Sequence, residues 1–199
     1  MQEWFIGIVL LFEVKVSNET GVEGSASYGV VGKLEQIVWI VGTAFKTMIT
    51  VAVGQFVGKK KFDETKEVVT NGLKLAIFPM VIVGVLVYVF PHQLCRIFIK
   101  NEIIINSAIR FLRIMGIPFI VVPLRSMARG FIGGTGHTKI LLISSITAGI
   151  VELSLMFIFK RFITDNLIVL GCAIIGYMIF ETSINVIYYF SNKWKKSII

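Results

Sequence analysis

The amino-acid sequence predicts an all-α integral membrane protein with about six transmembrane helices, the first of them truncated. Hydrophobic residues make up 55% of the 199-residue chain and charged residues only 16%, whereas a soluble domain typically carries about 25% charged residues. The charges are gathered into short clusters separated by uncharged runs, which approach the ~20 residues that a helix needs to cross a bilayer. Because hydrocarbon offers no hydrogen-bond partners, these runs are expected to be helices.

Five of these apolar runs are long enough to span a bilayer. They cover residues 36–58, 75–95, 111–128, 140–159 and 166–192. The third run has arginines at both ends, whose long side chains can reach the membrane surface. An earlier stretch, Trp4–Phe12, is too short to span and lacks the basic leader and cleavage site of a signal peptide. We therefore interpret it as the tail of a span, and the whole chain, residues 1–199, as a single transmembrane unit.

The stretch "VAVGQFVGKKKFDETKE" ends a span with a cluster of lysines, Lys59 to Lys61. If the connections between spans lie on alternate sides, one side carries eight basic residues and the other four. The positive-inside rule places the richer side, which includes the C-terminus, in the cytoplasm of a multi-pass protein of the cell membrane. The charged segment that follows the lysines predicts a short amphipathic helix on the inner membrane surface, at about residues 59–72.

No pattern of an enzyme or a metal site is found in the sequence. The glycine-rich stretch "GFIGGTGHTK" lacks the residue order of a phosphate-binding loop and is interpreted as a turn between two helices. Cys95 and Cys172 stand alone in apolar surroundings, without metal-ligand spacing. The net charge of +8 is explained by the lysines at span ends, and no nucleic-acid partner is expected. The sequence therefore predicts neither an enzyme nor a bound cofactor.

Ionisable residues inside spans are the stronger candidates for function, because a charge in a spanning helix is costly and tends to face a cavity or a partner. We identify Glu35, Lys46, Glu152 and Glu181 as candidate residues for cation or substrate binding. The alternative is that each lies at a span end or pairs with a neighbouring side chain. Glu13 is set aside, because its short distance from the next span places it near the outer surface.

Small polar residues near Glu181 strengthen that candidate. Thr182 and Ser183 follow it directly, and Asn185 lies one turn later. This polar face in the middle of the last span predicts a water-lined surface.

Several motifs occur in an order that resembles one transporter family. The segment "GSASYGVVGKLEQIVWIVGTAFKTMITVAVGQFVGKKKFDETK" and the turn "GTGHTK" resemble the multidrug and toxic compound extrusion (MATE) family. The resemblance implies a twelve-helix transporter with two six-helix lobes and a central cleft, which exchanges organic cations for protons or sodium. It identifies this chain as similar to the C-terminal lobe, with Lys33 and Glu35 matching a conserved basic-x-Glu pair of the family. His137 departs from the pattern, since an acidic or amide residue is usual there.

Three functions are compatible with the sequence. The first is a secondary antiporter for small organic cations, present as one lobe that pairs in the bilayer with a complementary N-terminal lobe or a second copy. The second is a flippase for lipid-linked oligosaccharides of the same superfamily, because Lys33, Lys46 and Arg125 could hold a pyrophosphate. The third is a membrane enzyme or a structural partner subunit, and the absence of clustered Asp or His at a membrane face disfavours the enzyme.

Overall fold

A computed structural model describes residues 2–195 of the protein, with side chains from residue 7 onward. The described part is helical throughout, contains no strand and ends in a short 3-10 turn, Lys193–Lys195. Its α-helices are α1 (Gln2–Asn18), α2 (Gly21–Gly58), α3 (Phe62–Val89), α4 (Pro91–Arg96), α5 (Glu102–Gly134), α6 (Thr138–Phe159) and α7 (Asn166–Phe190).

The all-α membrane fold that the sequence predicts is confirmed. Among the described residues, five helices are long and apolar enough to cross a membrane: α2, α3, α5, α6 and α7. They correspond to the five uncharged runs. Helix α1 has 17 residues and extends about 25 Å at 1.5 Å per residue, which is less than the ~30 Å of bilayer hydrocarbon.

The expected surface helix at about residues 59–72 is not a separate element. Helix α3 begins at Phe62 and continues without interruption to Val89. Thr65 is fully buried, so the first turns pack against the bundle. Gly72, which marks the expected boundary, is a packing contact instead: a Cβ atom there would lie 2.5 Å from Cδ1 of Ile49. Close packing on α2 therefore replaces the expected break between a surface helix and a span.

Helices α2 and α5 pack with their backbones in close contact and run in the same direction. The hydroxyl of Ser27 donates to the carbonyl of Ile104 at 3.2 Å, and that of Thr50 donates to the carbonyl of Gly130 at 3.2 Å. A Cβ atom at Gly130 would lie 2.6 Å from the carbonyl oxygen of Lys46. Small residues allow this approach, as is common between helices in membranes. The pair forms the central wall of the bundle.

Helix α7 also runs in the direction of α5. Arg110 near the start of α5 pairs with Asp165 just before α7, at 3.7 Å, and Arg125 further along α5 contacts Glu181 further along α7. The helices between them in sequence, α3 and α6, return in the opposite direction. Successive connections therefore lie at opposite ends of the bundle, as the charge pattern requires.

The chain folds back after α7 and places Trp194 inside the bundle. Its ring, which is fully buried, packs edge-on against Phe131 at 5.0 Å and Phe62 at 5.6 Å between ring centroids. Its indole N–H donates to the carbonyl of Tyr189 at 3.0 Å. This contact joins the start of α3 to the C-terminal ends of α5 and α7.

One face of α3 carries large exposed apolar side chains: Leu75, Phe78, Val81, Ile82 and Val85. In a spanning helix such a face suits contact with lipid tails.

Candidate functional site

A cavity of about 840 Å³ lies between α1, α2, α5, α6 and α7. This volume is within the ~300–1,000 Å³ of typical small-molecule sites. Its charged lining residues are Glu13, Lys33, Glu35, Lys46, Arg125, Arg129 and Glu152. Three of the four candidates from the sequence, Glu35, Lys46 and Glu152, thus lie in one cavity, while Glu181 lies behind its wall.

Three carboxyl groups from three helices share one part of the cavity. Glu13 of α1 accepts a hydrogen bond from the hydroxyl of Tyr28 at 2.5 Å. Glu152 of α6 is only 3% exposed, and its Oε1 has no hydrogen-bond partner among the described residues. Glu13, Glu35 and Glu152 lie close enough to act on one another electrostatically. Several carboxylates held this close in a low-dielectric region attract a cation or a proton.

Glu13, which the sequence analysis set aside as a residue near the outer surface, lines the cavity. Helix α1 continues to Asn18 instead of ending near Phe12, so Glu13 lies more than one turn inside the helix. The tight turn before Gly21 then reverses the chain and brings Tyr28 of α2 against it. The short spacing that argued against Glu13 is the reason that α1 and α2 meet at this point.

Glu35 is held by the next turn of its own helix. The indole N–H of Trp39 donates to Oε1 of Glu35 at 3.0 Å. Both side chains are half-buried and line the cavity. The neighbouring Lys33 places its Nζ 5.6 Å from the ring centroid of Phe98.

Glu181 lies at the centre of a buried ion cluster with two arginines. Its Oε2 accepts from Nε of Arg125 at 2.6 Å, and its Oε1 pairs with Arg129 and accepts from the hydroxyl of Ser145 at 2.7 Å. The Glu181 side chain is fully buried. Both carboxylate oxygens are therefore occupied by protein groups, and Glu181 can affect a ligand only through the two arginines and Ser145 that it holds.

The polar residues beside Glu181 differ in burial, and the water-lined surface expected there stays a prediction. Thr182 and Asn185 are buried, and their side-chain polar atoms have no hydrogen-bond partner among the described residues. Ser183 is exposed and donates to the carbonyl of Ile179 at 2.7 Å.

Arg125 also lies against two aromatic rings of the cavity. Its Cζ is 4.4 Å from the ring centroid of Trp39 and 5.4 Å from that of Tyr177. Its Nη2 donates to the hydroxyl of Tyr177 at 3.0 Å. Trp39 thus connects the two charged regions, since its N–H binds Glu35 and its ring faces Arg125.

The charges are unevenly distributed along the cavity. Lys46 is half-buried and lies 11 residues after Glu35 on α2, or about 16 Å along the helix. It is level with Gly130, beside Arg129 on α5. One end of the cavity is rich in carboxyl groups, and the other holds Lys46 and the two arginines.

Sequence reasoning missed Glu13, Tyr28 and Arg129 as parts of this site. Arg125 was considered as a phosphate ligand and, with Arg129, as a side chain that reaches the membrane surface, whereas both arginines pair with the buried Glu181. A usable signal was present, because Arg125 and Arg129 are four residues apart within an apolar run. That spacing places both on one face of a helix, and two arginines on an intramembrane face require a buried acid.

Charged residues line a cavity inside an apolar helical bundle, an arrangement that fits a polytopic membrane protein. Comparison with known proteins gives the family. The MatE family model matches residues 3–158, and the chain belongs to that family.

Proteins similar to the chain include two curated relatives and one solved structure. The "Probable multidrug resistance protein NorM" of Thermotoga maritima is 24% identical over 177 residues, which is 88% of this chain and 38% of that protein. The "Probable multidrug resistance protein YoeA" of Bacillus subtilis is 28% identical over 110 residues, 54% of this chain and 24% of that protein. The chain therefore spans well under half the length of both relatives.

The solved structure is a MOP superfamily transporter from Pyrococcus furiosus. It superposes with a TM-score of 0.86 at 13% identity, over 100% of this chain and 43% of that one. At this identity the likeness concerns the fold, and it confirms the architecture of one transporter lobe.

We predict different effects on stability for the two buried glutamates. Glu181→Leu leaves Arg125 and Arg129 without their shared carboxylate, and we expect a loss of about 3–5 kcal/mol. Glu152→Leu is the matched control: it removes a carboxyl group that has an unsatisfied oxygen and acidic neighbours, so stability should be unchanged or higher. Thermal unfolding of both variants in the same detergent measures the difference. Equal destabilisation would show that the ion cluster has no special structural role.

Proposed function

We propose that this chain is one lobe of a secondary active antiporter, which exports small organic cations in exchange for protons or sodium across the cell membrane. The observation that carries the proposal is the group of three carboxyl groups, Glu13, Glu35 and Glu152, in one cavity with the aromatic rings of Tyr28 and Trp39. Carboxylates and aromatic faces are the groups that recognise an organic cation. The names of the Thermotoga and Bacillus relatives, both called probable multidrug resistance proteins, support this class of substrate.

The energetic cost of unpaired charge in the membrane couples the binding of the organic cation to that of the proton or sodium ion. Carboxylates in a spanning bundle are costly unless a cation or a proton neutralises them. An organic cation and a coupling ion would compete for the same group of acids, so the uptake of one favours the release of the other. This competition is what an antiporter requires, provided that the cavity opens alternately to the two sides.

A second candidate is a flippase for lipid-linked oligosaccharides, and the basic end of the cavity favours it. Lys46, Arg125 and Arg129 line that end, and Lys33 lines the cavity near Glu35. Lysine and arginine bind phosphate oxygens. The report on the Pyrococcus furiosus transporter infers a different function for that protein from a binding pocket of reversed polarity. Cavity charge is thus a sensible criterion for choosing between the two functions.

We predict that protons or sodium weaken the binding of an organic cation. The measurement is the dissociation constant of ethidium for the purified chain in nanodiscs, titrated against pH and sodium. Affinity should rise as the pH rises or as sodium is removed, because both changes free carboxylates. In Glu13→Gln and Glu152→Gln this dependence should be reduced at least severalfold.

The matched control is Glu67→Gln, an exposed acid on α3 outside the cavity, which should behave as the wild type. Ethidium binding that responds to neither ion would contradict the antiport proposal. Preferential binding of a polyprenyl pyrophosphate-linked sugar, lost in Lys46→Gln, would favour the flippase.

We further propose that the chain transports only together with a complementary lobe or a second copy of itself. Secondary transporters of this kind hold substrate between two bundles that rock against each other, and one lobe supplies one wall. The cavity is lined by α1, α2, α5, α6 and α7 of a single bundle, and a partner bundle would enclose it.

The prediction is that liposomes containing only monomeric chain show no export driven by a proton or sodium gradient. Co-reconstitution with a complementary lobe, or cross-linking of two copies, should produce it. Monomer state is checked by single-molecule photobleaching of a labelled chain. Robust export by a demonstrated monomer would contradict the need for a partner.

We also propose that the C-terminus and Lys59 to Lys61 face the cytoplasm. In a background that lacks Cys95 and Cys172, an impermeant thiol reagent added to intact cells should label Thr20→Cys and leave Lys60→Cys unmodified until the cells are permeabilised. The reverse pattern, with labelling at position 60 and none at position 20, would invert the orientation.

A further inference from the structure

We propose that the guanidinium group of Arg125 occupies the subsite for an organic cation, and that a cationic substrate must displace it. The subsite is formed by the ring of Trp39 and the carboxylate of Glu35. The inference rests on the proposed function. It adds a specific binding position and a side chain, Arg125, that competes with the substrate for that position.

The geometry of Trp39 and Glu35 is that of a cation receptor. The indole N–H of Trp39 holds Oε1 of Glu35 at 3.0 Å, so an aromatic face and a negative charge lie side by side in the cavity wall. Tryptophan is the strongest cation-binding ring among the side chains, and it acts within about 6 Å of its centroid. A flat organic cation placed there gains contact with the ring and attraction to the carboxylate.

Arg125 already makes the contacts that such a ligand needs. Its Cζ lies 4.4 Å from the Trp39 centroid, and its charge acts on Glu35. A second cation cannot use the same ring face while the guanidinium covers it, and the two positive charges would repel each other. The side chain of Arg125 therefore competes directly with a cationic substrate.

Displacement of Arg125 leaves the rest of the ion cluster paired. Glu181 keeps Arg129 and the hydroxyl of Ser145 as partners if Arg125 moves away. Arg125 itself hydrogen-bonds Glu181 and Tyr177, and these are the contacts that it gives up when it moves. The ring contact can thus be exchanged without leaving a buried carboxylate alone.

Arg129 provides a matched comparison. It belongs to the same cluster, pairs with the same carboxylate and carries the same charge. Among the residues whose side chains the structure describes, no cation–ring contact involves Arg129, whereas Arg125 has two. Removing either arginine changes the cavity charge equally, but only Arg125 uncovers the ring.

The experiment measures the dissociation constant of rhodamine 6G, a flat monovalent cation, by fluorescence anisotropy with the full chain in nanodiscs. Arg125→Met should bind the dye about tenfold more tightly than the wild type, because the substitution frees the Trp39 ring for the dye and also removes a repulsive positive charge. Arg129→Met, which loses only the charge, should gain about threefold or less. Adding Trp39→Leu to Arg125→Met should abolish the difference between the two arginine variants. Circular dichroism and size-exclusion profiles check that each variant is folded.

The outcomes separate this inference from the proposed function. Equal gains in Arg125→Met and Arg129→Met would overturn the subsite, because the effect would then be one of charge alone, while the proposed function would stand. No gain in Arg125→Met, with clear wild-type binding, would overturn it as well. Absence of dye binding by every variant and by the wild type would reject cation recognition itself, and this inference with it.

If Arg125→Met does not fold, Arg125→Lys replaces it, since a lysine retains the charge and covers the ring less well. A severalfold gain in dye affinity over the wild type is then required.

Discussion

The pairing of Arg125 and Arg129 with Glu181 is the interaction on which the site depends. Two guanidinium groups inside an apolar bundle would be prohibitively costly alone. One fully buried carboxylate from α7 holds both of them and fixes α5 against α7. The same contact sets the position of Arg125 over Trp39, and so determines which groups of the cavity remain available to a ligand.

The fold could be predicted from the sequence more fully than the site. Uncharged runs of bilayer length leave few alternatives to spanning helices, and the five helices found correspond to those runs. The boundaries were less predictable, because they depend on packing. Thr65 is polar and Gly72 is small, a composition typical of a surface segment. Both residues pack against the bundle, however, and α3 is one continuous helix.

The site was predictable only where a charge stood alone in an apolar run. Lys46 and Glu152 met that condition, and Glu35 lies directly before such a run; all three line the cavity. Glu13 did not meet it, because its role depends on the turn that brings α1 against α2, a feature of three-dimensional structure. Glu181 shows the reverse case: an isolated intramembrane acid signals a need for a counter-charge, and whether a protein side chain or a ligand supplies it is decided by which helix lies opposite.

The contact between α2 and α5 has a consequence for how the cavity can change shape. Hydroxyl-to-carbonyl bonds and glycine contacts join the two backbones over several turns, and sliding or rotation of one helix against the other would break them. We therefore expect the two helices to move as one unit that carries Glu35, Trp39 and Arg125. A change in the width of the cavity would then come from α1 and α6, which carry Glu13 and Glu152.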